Sequence, residues 1–323
     1  MTKMTYAAAF MDGLYGMMQS EPRLSIIGRG LLGHGAHSHH EKPLHRDFAD
    51  RITDPPTAEG AVVSMAIGAA MAGERMFHSL GTASFALEAV NQFLHEAAPA
   101  HYMSNGQVKV PVTFHMFHGI RGGGGAQHSA SPQAMFVNCP GLEVVMPSSA
   151  ADVKGLIRTA IKSDNPTFFL MHSDLLGIEE DVPDGEYDVA FGVADVKREG
   201  RDVTVVATSR MVQIALQAAE ALAVDGISVE VVDPRTAVPL DIDGICASVE
   251  KTGRLVTVDE APGMCSIGSE IAASVCERAF HALKAPIARV ARSHVPVPFS
   301  RELEAFITPS PERIAAAVRK VLM

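Results

Sequence analysis

Along this chain, short runs of wholly apolar residues alternate with longer stretches in which apolar residues recur every three or four positions. YAAAFMDGLYGMMQS, GAVVSMAIGAAMAG, ALEAVNQFLHEAAPAHYMS and AADVKGLIRTAIKS read as helices, and LSIIG, VPVTFHMF, LEVVMPS and PTFFLMH as strands. A strand that is apolar at every position has no face to show to water. The alternation therefore predicts an α/β fold with a mostly parallel sheet covered by helices on both sides.

The pattern lapses once. GIEEDVPDGEYDVAFGVADVKREG is acidic, contains Pro and Gly, keeps no period, and reads as a linker. Beyond it the alternation resumes through DVTVVATS, MVQIALQAAEALAVDG, ISVEVVDPRT, DIDGICASVEKTG, RLVTVDEA, GSEIAASVCERAFHAL, PIARVAR and SPERIAAAVRKVLM. The expected organisation is two doubly wound domains, residues 1–178 and a smaller 199–323, joined by a linker over 179–198. Gly226 and Gly253 stand where helices should stop in the left-handed conformation before a strand.

With 323 residues, 47% of them hydrophobic, the chain can bury two cores. No apolar run reaches the roughly 18 to 20 residues of a membrane span, and MTKMTYAAAFMDG does not read as a secretory signal. A cytoplasmic protein with no membrane association is expected. Cys139, Cys246, Cys265 and Cys276 form no CxxC pair, which argues for reduced thiols. A net charge of −10 without any concentration of Lys and Arg argues against nucleic acid as a partner.

Three polar stretches stand out as places for chemistry. In RGGGGAQHSAS, four glycines precede Gln127 and His128, directly after a strand, so a proton carrier sits beside a backbone that a flat ligand can approach closely. The tract is neither a Walker loop, lacking Lys-Ser/Thr, nor a dinucleotide fingerprint. In DPPTAEGAVVSMAIGAAMAG, Thr57 or Glu59 can meet the free amides of the helix that follows, and Glu59 is either a helix-dipole carboxylate or a buried acid at a strand-to-helix junction, where open α/β sheets bind ligands. HGAHSHHEKPLHRD gathers His34, His37, His39, His40 and His45 without a spacing that makes them converge on a metal; it reads as a mobile polar loop near an active-site mouth.

DPPTAEG, SFALEAVNQFLHEAAPAHYMSNGQVKVPV, GGGGAQHS, PGLEVVMPSSAADVKGLIRTAIKSDNP, ADVKREGRDVTVV and VDEAPG, in this order, resemble the β subunit of the decarboxylating dehydrogenase component of 2-oxo acid dehydrogenase complexes. The family includes pyruvate, branched-chain 2-oxo acid and acetoin dehydrogenases, and the similarity runs almost end to end. It implies a pyrimidine-binding transketolase-like domain followed by a transketolase C-terminal-like domain, in an oxidoreductase that works as an α2β2 heterotetramer on a 2-oxo acid or an acyloin.

It further implies thiamine diphosphate bound between chains, with magnesium and the diphosphate on the α subunit and the aminopyrimidine on this one. A lipoyl acyltransferase core would be the partner that receives the acyl group, and the chain alone would be inactive. Glu59 matches the glutamate that hydrogen-bonds pyrimidine N1′, with burial raising its pKa; Phe85 matches the aromatic that packs on the ring; His128 matches the histidine facing the thiazolium, suited to proton transfer or to oxyanion stabilisation. Main-chain carbonyls of Val112, Ala160, Ser163 and Asn165 match a loop that holds potassium in some members.

The chain also departs from the resemblance. Arg29 and Asn91 stand where acids are common, SLG (79–81) where Glu-Phe-Met is common, and HMFHG (115–119) where Arg-Gly-Pro-Asn-Gly is common. These changes remove acids implied to connect two active sites and alter the pocket wall. Two other readings keep their place: a split transketolase-like or acyloin-forming carboligase that never meets a lipoyl domain, and a non-catalytic assembly subunit.

Overall fold

Two helices set the packing of the N-terminal half. Tyr6–Ser20 is capped by the Thr5 side chain, which accepts from the Ala8 N–H, and Ala150–Lys162 by Ser149, which accepts from Asp152. They approach so closely that a Cβ on Gly13 would lie 2.8 Å from Ile157 and from the Lys154 carbonyl, so that position admits only hydrogen. The computed structural model describes residues 1–28, 30–33 and 36–323. Its contacts divide the chain into two compact units, residues 1–118 with 135–191, and 119–134 with 192–323.

In the first unit the strands are β1 (Thr2–Thr5), β2 (Leu24–Ile27), β3 (Ile52–Thr53), β4 (Arg75–Thr82), β5 (Val112–His118), β6 (Glu143–Val145), β7 (Thr167–His172) and β8 (Glu179–Val182). Six of them lie in the order β6-β7-β5-β4-β2-β3, every pair parallel. Phe93, Phe114, Phe136 and Phe168 interlock on one face, with Phe136 stacked on Phe168 at 4.2 Å between ring centres. In the second unit are β9 (Asp195–Arg198), β10 (Val203–Ala207), β11 (Val229–Asp233), β12 (Thr236–Val238), β13 (Leu255–Pro262) and β14 (Ala288–Arg292). Its sheet runs β14-β13-β10-β11-β9, parallel except for β9. The doubly wound α/β class read from the alternation is the observed one.

Several local readings change. β4 escapes the sequence pattern because RMFHSLGT places His78, Ser79 and Gly81 among its apolar residues. The stretch expected as one helix over ALEAVNQFLHEAAPAHYMS is a 3₁₀ turn (Ala83–Ala89), a π turn (Gln92–Ala97) and a short α-helix (Ala100–Met103). The Ala98 N–H bonds the Phe93 carbonyl five residues back, and Pro99 has no N–H with which to continue a regular ladder. Residues 179–198, read as a linker, carry β8, paired with β1, and β9, at the edge of the second sheet; both are polar edge strands, which is why no alternation shows. The compact units divide between Phe191 and Gly192.

The histidine-rich stretch is not an unstructured loop. It forms a 3₁₀ turn (Ser38–Glu41) and a helix (Lys42–Asp47) around buried Glu41, which accepts the Leu32 N–H at 2.7 Å and lies 3.4 Å from His45. His34 and Arg29 lie outside the described residues. Among the described residues no group of three or more His, Cys, Asp or Glu could hold a metal, and no helix is long and apolar enough to cross a membrane. Gly226 and Gly253 do stop their helices with positive φ, 78° and 75°.

Candidate active site

Glu59 is the first residue of the helix Glu59–Met71, at the end of an extended approach held by Pro55 and Pro56. Its N-cap is Ala58 without a side-chain hydrogen bond, so Thr57 does not cap this helix. Glu59 lines a cavity of about 210 Å³ with Pro55, Pro56, Val62, His78, Leu80 and Phe85 among its other walls. The side chain is half-buried rather than buried, and it has no hydrogen-bond partner among the described residues. Phe85 and Leu80 supply flat apolar surface, and the helix N-terminus favours a negative or hydrogen-bonding group there.

The same pocket holds a group that sequence reading passed over. His78 is 5% exposed, its Nδ1 lies 3.2 Å from the Ile27 carbonyl, and burial pushes its pKa down, while that carbonyl and the charge of Glu59 oppose the fall. Behind it, Ser79 Oγ meets His115 Nδ1 at 3.1 Å, across the β4–β5 register that sets these two residues opposite one another. His115 is fully buried between Phe10 and Phe77, and desolvation, with a smaller contribution from His78, takes its pKa down to about 3. The pocket wall at His78 and Ser79 is therefore polar, with a second, fully buried histidine behind it.

The glycine tract belongs to the second unit, with the C-terminal residues that anchor it. Gly122, Gly123 and Gly125 have φ of 70°, 88° and 63°, yet a Cβ on any of them would meet nothing closer than 3.7 Å. Conformation, not crowding, requires glycine at these three positions; only at Gly124 would a Cβ collide, 2.5 Å from Ser129 Oγ. Two buried carboxylates hold the loop: Glu304 accepts the Gly123 N–H with both oxygens at 2.9 Å, and Glu260 accepts the Ile120 N–H in a short hydrogen bond. Gln133 Nε2 donates to Asp259 at 3.0 Å at the foot of the loop. His128 closes a single helical turn, Gly125–His128, is exposed, and has Arg121 Nη2 3.2 Å from its Nδ1. None of these anchors was legible in sequence, because they come from segments far from the loop.

Of the four carbonyls read as a potassium loop, that of Ser163 meets a different cation. Arg75 Nη1 donates to the carbonyls of Ser163 (2.8 Å) and Ile161 (2.9 Å), and its Nη2 to Asp164 at 2.8 Å. Lys109, with help from Arg75, holds the Asp164 carboxyl below the usual range. The Ala160 carbonyl accepts the Ser163 N–H, and that of Asn165 lies 3.4 Å from Thr167 Oγ1. A guanidinium already donating to the Ser163 carbonyl repels a second cation at that oxygen, so the Ser163 position does not fit potassium. Unfolding curves in KCl and NaCl at equal ionic strength should coincide; a stabilisation specific to potassium would contradict this.

The transketolase pyrimidine-binding domain profile matches residues 2–179, and the transketolase C-terminal domain profile residues 192–314. The β subunit of acetoin:2,6-dichlorophenolindophenol oxidoreductase from Cupriavidus necator is 40% identical, covering 99% of this chain and 98% of that protein. The chain belongs to the family of transketolase-like dehydrogenase β subunits. Another member, the pyruvate dehydrogenase E1 component β subunit of Rickettsia felis, is 39% identical with the same coverages, 99% and 98%. A solved structure described as a split gene transketolase, inactive beta4 tetramer, superposes with a TM-score of 0.81 at 25% identity, over 99% of this chain and 98% of that one.

Proposed function

We propose that this β subunit serves a thiamine-diphosphate-dependent 2-oxo acid or acetoin dehydrogenase component, completed by an α subunit in an α2β2 assembly and passing its acyl product to a lipoyl acyltransferase core. The observation that carries the reading is the Glu59 pocket: a half-buried carboxyl at a helix start beside a cavity of about 210 Å³ walled by Phe85, Leu80 and two prolines. That is a fit for one flat heteroaromatic ring with a hydrogen-bonding nitrogen at its edge. When bound, thiamine diphosphate would supply the nucleophilic carbon and electron sink for C–C cleavage. Glu59 would hold a proton against N1′ of the pyrimidine, Phe85 would pack on the ring, and His128 would face the reacting end to donate a hydrogen bond or a proton.

In this reading magnesium and the diphosphate fall to the α subunit, so the isolated chain lacks half of the site. The curated relatives favour a dehydrogenase over a carboligase or a non-catalytic assembly role, since those cited above are named as acetoin and pyruvate enzyme subunits. The experiment is reconstitution with an α partner, thiamine diphosphate, Mg²⁺ and a lipoyl domain. Acyl transfer from 2-oxo acids or acetoin, absent when either subunit is omitted, is the expected result; carboligation indifferent to the lipoyl domain would favour the alternative.

A further inference from the structure

We propose that Arg121 is a positioning residue for His128, fixing its imidazole as the tautomer that carries its proton on Nε2. The inference rests on the reading of His128 as a site residue and decides between the two roles left open for it. Arg121 Nη2 stands 3.2 Å from His128 Nδ1. A guanidinium has five N–H donors and no acceptor, and it stays protonated in proteins, so the proton in this contact belongs to arginine. Nδ1 must then be the lone-pair nitrogen, and a neutral His128 must carry N–H at Nε2. Protonation at Nδ1 would replace the hydrogen bond by a clash of two donors and two positive charges.

The geometry around this contact makes it more than a chance surface encounter. Arg121 and His128 are the two ends of the glycine tract, and that tract is held in one shape by Glu304 on the Gly123 N–H and Glu260 on the Ile120 N–H. Its left-handed glycines fold the ends of the segment back toward each other, bringing residues seven apart into hydrogen-bond range. Burial takes the Arg121 pKa down, although the group remains cationic throughout the working pH range. His128 thus offers a fixed donor through Nε2, which suits stabilising a developing oxyanion, and it is disfavoured as a resting general base.

The test begins with the full-length chain labelled with ¹⁵N-histidine and long-range ¹H–¹⁵N NMR at neutral pH, which reports each imidazole's tautomer. His128 should show a protonated Nε2 and a bare Nδ1. Arg121→Met should shift it to a mixture of tautomers and Arg121→Lys, which keeps a donor, should restore the wild-type pattern, with the signals of buried His78 and His115 unmoved as the check on folding. A wild-type His128 protonated at Nδ1, or a tautomer unchanged in Arg121→Met, overturns the proposal, and the wild-type spectrum decides even if the variant fails to fold. In the reconstituted complex Arg121→Met should lower kcat by about tenfold or more with little change in KM. Because the spectrum requires neither partner nor cofactor, a complex that turns over no 2-oxo acid would sink the functional reading and leave this inference to be judged separately.

Discussion

Glu59→Gln should lower turnover of the reconstituted complex by at least about 100-fold while leaving the melting temperature of the chain within a degree or two of wild type. Glutamine keeps the size and one acceptor, but it cannot pass a proton to and from a ring nitrogen. The side chain is half-buried and takes no hydrogen bond from the described residues, so little of the fold depends on it. A carboxylate at a helix start gains about 0.3–1 kcal/mol from the dipole, and that modest amount is what the amide forfeits. Binding of thiamine diphosphate, followed by calorimetry, should weaken in parallel. Full turnover in the variant would remove the acid from the mechanism and revive a purely structural role for the chain.

Asp259→Asn should stabilise the protein at pH 8 and do so progressively less as the pH falls. Asp259 is entirely buried, and desolvation, reinforced by neighbouring Glu260 and opposed by the Ala261 N–H, Gln133 and Arg292, raises its pKa from 3.8 to about 6. A folded-state pKa above the unfolded one means that the native protein binds more protons between about pH 4 and 6. Stability therefore falls as the pH rises through that window, and above it the buried carboxylate destabilises by about 3 kcal/mol at most. Asparagine retains an acceptor for Gln133 Nε2 and the Ala261 N–H without the charge. Melting curves of both proteins at pH 4, 6 and 8 should show a gain of several degrees at pH 8 that vanishes by pH 4. A variant less stable than wild type at pH 8 would show that the charge is compensated by its surroundings.

Two departures that look independent in the sequence are neighbours in the structure. Ser79 stands where the resemblance implies an acid and His115 where it implies an arginine; the two are opposite residues on β4 and β5, joined by a hydrogen bond. No reading of residues 79 and 115 in isolation shows this, because their adjacency is created by strand register. The same holds for His78, which enters the Glu59 pocket only because β4 runs beside β2 and exposes that position to the cavity.

Local physics settled much of this protein in advance: apolar runs without a wet face demand a covered parallel sheet, proline before a small-residue helix places Glu59 at a helix start, and glycine stops the helices ahead of Gly226 and Gly253. Those properties depend on neighbours along the chain. What lies around Glu59 and His128 depends on residues brought from elsewhere. Glu260 and Glu304 seize amides of the glycine tract from about 140 and 180 residues away in sequence, and Arg75 reaches carbonyls nearly 90 residues on. A hydrogen bond has no signature in either partner's sequence neighbourhood, so only folding decided which groups would meet, which charge would occupy the carbonyl loop, and which nitrogen of His128 would hold its proton.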